Sequence, residues 1–173
     1  MAGNPLRILV ADDEPTSRLL MRAALAKSGF AVSLAVDGED ALRQFQANPC
    51  DMVMLDVEMP GMDGYQVCAA LRAEAGDELP IVMVTGMDDV DSIERAYESG
   101  ATDFIAKPIN WSLIGHRVKY LFRSSVAMLE LRTAHARNAD MHTSAAAGGN
   151  LPRNVLPSNV SAGANNKSLR GEW

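Results

Sequence analysis

A doubly wound (βα)5 domain, a three-layer α/β sandwich around a five-stranded parallel sheet, is the fold this chain predicts. Two observations carry the prediction. Five short apolar runs alternate with amphipathic stretches, and three of those runs are apolar almost throughout. Alternation of this kind gives β-then-α units. Strands without a polar face are buried on both sides, which in a parallel sheet means helices above and below. Right-handed crossovers complete the doubly wound form.

The strands are β1 (Arg7–Ala11), β2 (Ala31–Ala35), β3 (Met52–Asp56), β4 (Ile81–Thr85) and β5 (Asp103–Ala106), each too short for a helix and rich in branched residues. Between them the spacing predicts helices α1 (Pro15–Ser28), α2 (Gly38–Ala47), α3 (Gly64–Glu74) and α4, roughly Asp89–Ser99. Pro15 suits a first helical turn, where its missing N–H has no partner to lose. Gly29 stands where a C-terminal cap is wanted. From Ser112 a last helix, α5, carries Leu113, Ile114, Val118, Leu121 and Phe122 against the sheet, and after Gly115 no Gly or Pro follows until Gly148. Val126, Leu129 and Leu131 continue the pattern to about Asp140, so α5 outruns its domain.

A length of 173 residues allows one domain with a remainder, and 47% apolar residues supply a core. No run of 18 apolar residues occurs, and MAGNPLRILV lacks the pattern of a signal peptide, so a cytoplasmic protein is expected. Cys50 and Cys68 belong to no disulfide or metal spacing. Charge is unevenly placed: residues 1–110 hold 8 Lys/Arg against 19 Asp/Glu, whereas Trp111–Arg137 holds five basic residues and only Glu130 as an acid.

In doubly wound sheets polar sites gather beyond the carboxyl ends of the strands, where the winding reverses. Here β1 runs into Asp12 and Asp13, β3 ends in Asp56, β4 in Thr85, and β5 runs into Lys107 and Pro108. Each residue alone is an ordinary turn former, cap or packing residue. Their joint placement at four strand ends is not explained by turns. Three crowded carboxylates must protonate or share a cation. A hard ion such as Mg²⁺ takes one or two carboxylates, keeps several waters and leaves room for phosphate oxygens.

Taken in order, ILVADDEP, MVMLDVEMPGMDG, IVMVTG and FIAKP resemble the receiver domains of bacterial two-component response regulators, the CheY-like branch of the flavodoxin-like folds, over roughly Arg7–Arg123. The resemblance implies that Asp56 is the phosphoacceptor, served by a sensor histidine kinase or phosphotransfer protein. It implies that Asp12 and Asp13 position Mg²⁺ with Asp56 and the backbone carbonyl of Glu58. Lys107 is expected on the phosphoryl oxygens, with Thr85 donating to one of them once phosphate arrives and Phe104 turning inward as the switch aromatic. Glu58 and Met87 occupy the positions that tune phosphoryl lifetime. Gly86 is small, as the family prefers, and the Lys107-Pro108 bond is expected to be cis.

The domain is expected over 1–123, the extension of α5 over 124–140, and a disordered tail or linker over 141–173, where 20 of 33 residues are Gly, Ala, Asn, Ser or Pro. Phe122, Val126, Leu129, Thr133 and Ala136 alternate in spacings of four and three, a short seam through which a second copy could pair. The α4-β5-α5 face is the other expected dimer surface. Asn110–Val118 is similar to that part of receivers joined to cyclic-di-GMP domains, although neither GGDEF nor EAL follows. Arg117, Lys119, Arg123, Arg132 and Arg137 read as a solvated helix face, since no helix-turn-helix accompanies them. A dehalogenase-type phosphatase would need an Asp-x-Asp pair after β1, and a dinucleotide site would need a glycine-rich loop there; both are absent. The remaining rival is a non-phosphorylated receiver-like interaction module, which would be expected to lack one of the acids or the lysine.

Overall fold

The computed structural model describes residues 4–86 and 90–147. Among them β1 to β5 span the predicted residues, and the helices are α1 (Pro15–Lys27), α2 (Gly38–Ala47), α3 (Gly64–Ala75), α4 (Val90–Glu98) and α5 (Ile114–Ala147), with a 3-10 turn at Gly76–Glu78. All strands pair in parallel, in the order β2-β1-β3-β4-β5. The winding therefore reverses between β1 and β3, and a crevice opens beyond their carboxyl ends.

Strand side chains alternate between two apolar layers. Leu9, Val53, Leu55, Ile81 and Met83 meet Ala41, Phe45, Val67, Cys68, Leu71 and Ala96 from α2, α3 and α4. Ile8, Val10, Met52, Met54, Val82, Val84 and Ile105 meet Met21, Leu25, Ile114, Val118 and Leu121 from α1 and α5. Nearly every position of β1, β3 and β4 is fully buried, as the absence of a polar face in these runs requires.

The helix ends follow from local chemistry. Pro15 opens α1, and the Glu14 carboxylate caps it by accepting from the Thr16 and Ser17 backbone N–H groups at 2.9 and 2.6 Å. Gly29 ends it with φ of 90°. Asp63 and Gln66 form a reciprocal capping box at the start of α3. Helix α5 begins two residues later than expected, because the Asn110 carbonyl accepts from both Leu113 and Ile114 and winds Trp111–Leu113 into a turn. It also passes the expected end at Asp140 and runs to Ala147, through an alanine-rich stretch of high helix propensity. The chain divides into two compact units, Met1–His135, which holds the sheet, and Ala136–Trp173, whose described part is the end of α5. The rest of the expected tail, and Met87, lie outside the described residues. No helix among the described residues is long and apolar enough to cross a membrane.

One contact was not legible in the pattern. The half-buried Arg72 guanidinium donates to the Gly100 carbonyl at 2.6 Å, to those of Gly76 and Leu79 at 2.8 and 2.5 Å, and to Thr102 Oγ1 at 3.0 Å. Thr102 Oγ1 in turn accepts from the Ile81 N–H at 3.0 Å. The amino ends of β4 and β5 are thus fastened to α3 by one cation. Replacing it, Arg72→Leu, leaves several carbonyls without a charged donor and is expected to lower the unfolding free energy by about 2 kcal/mol. Urea denaturation measures this; an unchanged midpoint would mean that water substitutes for the guanidinium.

Candidate functional site

Strand register assembles the site. Ala11 lies beside Leu55 and Asp56 beside Val84, while Thr85 pairs with Ala106. The next residues along, Asp12 after β1 and Lys107 after β5, therefore arrive at the same edge as Asp56. Lys107 is held there by its own N–H, which donates to the Thr85 carbonyl at 2.7 Å, and its bond to Pro108 is cis, as the resemblance implied.

Asp56 and Asp12 are each only 4% exposed, and Thr85 is 3% exposed. Lys107 Nζ donates to Asp56 Oδ2 at 2.8 Å, with about a third of the lysine side chain still open to solvent. Burial raises the Asp56 pKa above the ordinary carboxylate value; the Lys107 bond offsets part of this, and the nearby Asp12 charge adds to the rise. For Lys107 burial opposes the charged form, but Asp56, Asp12 and the exposed Glu58 together outweigh it and the pKa is raised. Glu58 is thus one of the charges that act on the lysine.

The first carboxylate of the acid pair is fixed from both sides. Asp12 Oδ1 accepts from the Glu14 N–H at 2.8 Å and Oδ2 from the Ser17 hydroxyl at 2.5 Å, while the Arg18 guanidinium donates to the Asp12 carbonyl at 2.6 Å. Asp13 is exposed. Ser17 and Arg18 were not singled out from the sequence; their signal is position, in the first turn of a helix that starts directly after the acid pair. On the other side of Asp56 the loop turns back through Gly61, with φ of 79°, and Gly64. A Cβ at Gly64 would overlap the Asp56 carbonyl oxygen, so only glycine lets α3 begin against β3.

A hard divalent cation fits these residues, and Asp56 Oδ1 decides the matter. That oxygen is buried and makes no hydrogen bond, although the Glu58 N–H faces the carboxylate closely enough to favour its charge. One carboxylate oxygen from each of Asp12, Asp13 and Asp56 lies within 4.8 Å of the others. An all-oxygen donor set with room for water suits Mg²⁺. On the opposite face of the sheet, Phe104 is half-buried against the α2-α3-α4 layer and meets the exposed Tyr97 ring edge-on at 6.3 Å between centroids.

Without metal, the ionised Asp56 opposes folding. Its pKa is raised in the folded state, so its contribution to stability is present below the unfolded pKa and is lost as pH rises through the folded value. Asp56→Asn keeps an acceptor for Lys107 and removes the charge. In chelator at neutral pH the variant is expected to melt about 3 °C above the wild type, with the gap closing in acid, and only the wild type should gain markedly from Mg²⁺. A variant that melts below the wild type at neutral pH would show that the lysine pair outweighs burial.

The comparisons with known proteins agree with this geometry. The family model for the response regulator receiver domain matches residues 8–119. The response regulator MprA of Mycobacterium sp. (strain KMS) is 40% identical over 119 residues, covering 69% of this chain and 51% of that protein. The response regulator PleD of Caulobacter vibrioides (strain NA1000 / CB15N) is 37% identical over 146 residues, 84% of this chain and 32% of that one. The chain therefore spans about half the length of the first relative and a third of the second. Among solved structures, the chemotaxis response regulator CheY4 of Vibrio cholerae superposes with a TM-score of 0.65 at 27% identity, over 68% of this chain and 98% of that one. With Asp12, Asp13, Asp56 and Lys107 gathered at one sheet edge, the chain belongs to the response regulator receiver domain family.

Proposed function

We propose that this chain accepts a phosphoryl group on Asp56 from the phosphohistidine of a sensor histidine kinase or phosphotransfer protein, and that the modification changes its conformation to control an output. The supporting observation is the Asp56 carboxylate itself, with Oδ2 on Lys107 and the buried Oδ1 unpartnered within ligand distance of Asp12 and Asp13. In the transfer, the Asp56 oxygen bonds to phosphorus as the phosphorus–nitrogen bond of the donor breaks. The imidazole leaves with the bonding pair and an acyl phosphate remains. Mg²⁺, when held by Asp12, Asp13, Asp56 and the Glu58 carbonyl, supplies charge neutralisation to the transferring group.

This chain's residues do the rest. Lys107 moves its ammonium from the carboxylate to the phosphoryl oxygens, and Thr85 turns its hydroxyl toward them. Those contacts exist only in the modified state, so they are what shifts the conformational equilibrium. Phe104 follows Thr85 on the neighbouring strand and breaks its edge-on contact with Tyr97. Glu58 and Met87 then set how readily water reaches the acyl phosphate. The reaction is a stoichiometric self-modification, and the output lies with a partner or domain other than 1–123.

Incubation with Mg²⁺ and acetyl phosphate, followed by intact mass, tests the reading. The wild type is expected to gain one phosphoryl mass and Asp56→Asn none. No gain on wild type, or an equal gain on the variant, would sink it and favour a receiver-like interaction module.

Pairing with a second copy belongs to the same proposal, through the α4-β5-α5 face. Tyr97, Tyr120, Met128 and Leu131 are all more than half exposed there and along α5. The alternative seam along α5 is less free: Phe122 packs on the core, and Val126 and Leu129 line a groove of about 320 Å³ with Phe45, Cys50, Leu79 and Pro80 of the same unit. Sedimentation with beryllofluoride and Mg²⁺ should move the mass toward a dimer. A mass that stays monomeric would assign the output to a different partner on that face.

A further inference from the structure

We propose that Ser17 is a positioning residue for the metal site, acting through Asp12. The inference rests on the reading that the acid pair and Asp56 hold Mg²⁺.

The hydroxyl is committed to one task. Ser17 stands third in α1, inside the capping position, where the free N–H groups of the first turn need a side-chain acceptor. Here the Glu14 carboxylate has taken that role, accepting from the Thr16 and Ser17 backbone N–H groups. The Ser17 Oγ has no capping task and donates to Asp12 Oδ2 at 2.5 Å.

The bond matters because of what Asp12 lacks without it. An aspartate carboxylate turns readily about its last torsion, which is broad and roughly two-fold. The Glu14 N–H fixes one oxygen, at 2.8 Å, and a single contact leaves the plane free to swing about it. A second donor on the other oxygen locks the plane. Asp12 is 4% exposed and has Asp56 as a like-charged neighbour, so an unpinned carboxylate would rotate away from Asp56. Pinning holds it toward the cluster and makes the site ready before the cation arrives, so that less ordering remains to be done on binding. The Arg18 guanidinium on the Asp12 carbonyl steadies the same residue from the backbone side.

Partners that orient metal ligands typically contribute 10–100-fold to affinity. Ser17→Ala is expected to weaken Mg²⁺ binding, measured by calorimetry on the full chain, by about tenfold. Ser17→Thr keeps the hydroxyl and should bind within about threefold of the wild type. Ser17→Ala takes a donor from the buried Asp12 carboxylate and should melt a few degrees lower in chelator; the loss of Mg²⁺ affinity at about 25 °C, where both proteins are folded, is the readout that a purely structural role would not move. With acetyl phosphate, the Mg²⁺ concentration for half-maximal labelling should rise by the same factor, while the rate at saturating Mg²⁺ stays within twofold. Wild-type Mg²⁺ affinity in Ser17→Ala, or failure of Ser17→Thr to restore binding, would overturn the positioning role alone. A wild type that binds no Mg²⁺ would overturn the metal reading and this inference with it.

Discussion

The Asp56–Lys107 contact is the constraint around which the rest of the molecule is arranged. A carboxylate 4% exposed, on the central strand of the sheet, has one direct cation at 2.8 Å and two further carboxylates nearby. Folding drives that charge inward because β3 must be buried on both faces, and the strand cannot leave its acidic end in water. The site is consequently an imbalance of charge held in place by the hydrophobic layers on either side. Any ligand that brings positive charge, or that takes over the lysine, acts on an unfavourable term already present in the fold.

The alternation of side chains sorts the working residues into two groups. Asp12, Asp56 and Lys107 continue the parity of Ile8, Val10, Met52, Met54 and Ile105, whose side chains enter the α1-α5 layer. Thr85 and Phe104 follow the other parity, that of Ile81 and Met83, toward α2, α3 and α4. Asp56 and Thr85 thus follow opposite parities at the same edge of the sheet. Thr85 and Lys107 are nonetheless joined by a backbone bond of 2.7 Å, so a shift on one side has a short path to the other.

Much of this was legible in the sequence, for a reason that can be stated. A parallel sheet aligns strand ends, so reading Asp12, Asp56, Thr85 and Lys107 at the ends of four apolar runs was already reading their proximity. The sequence was silent where a residue's partner depends on tertiary reach. Arg72 looks like a solvent-facing helix residue, yet it spans to carbonyls on two loops. Ser17 sits unremarked in the first turn of α1, and its bond to Asp12 is visible only in the structure. Phe122, Val126 and Leu129 have the spacing of a seam between chains and also of a helix lying along its own domain, and spacing alone does not separate the two. The late start of α5 came from a turn at Asn110 that helical periodicity does not register.

Arg72 carries a mechanical consequence for the sheet. By tying Gly76, Leu79, Gly100 and Thr102 together, it fastens the amino ends of β4 and β5, while their carboxyl ends bear Thr85 and run on to Lys107. The lower rim of these strands, where α5 passes Pro80 and Leu79, is thereby braced by a single side chain at the end of the sheet away from Asp56.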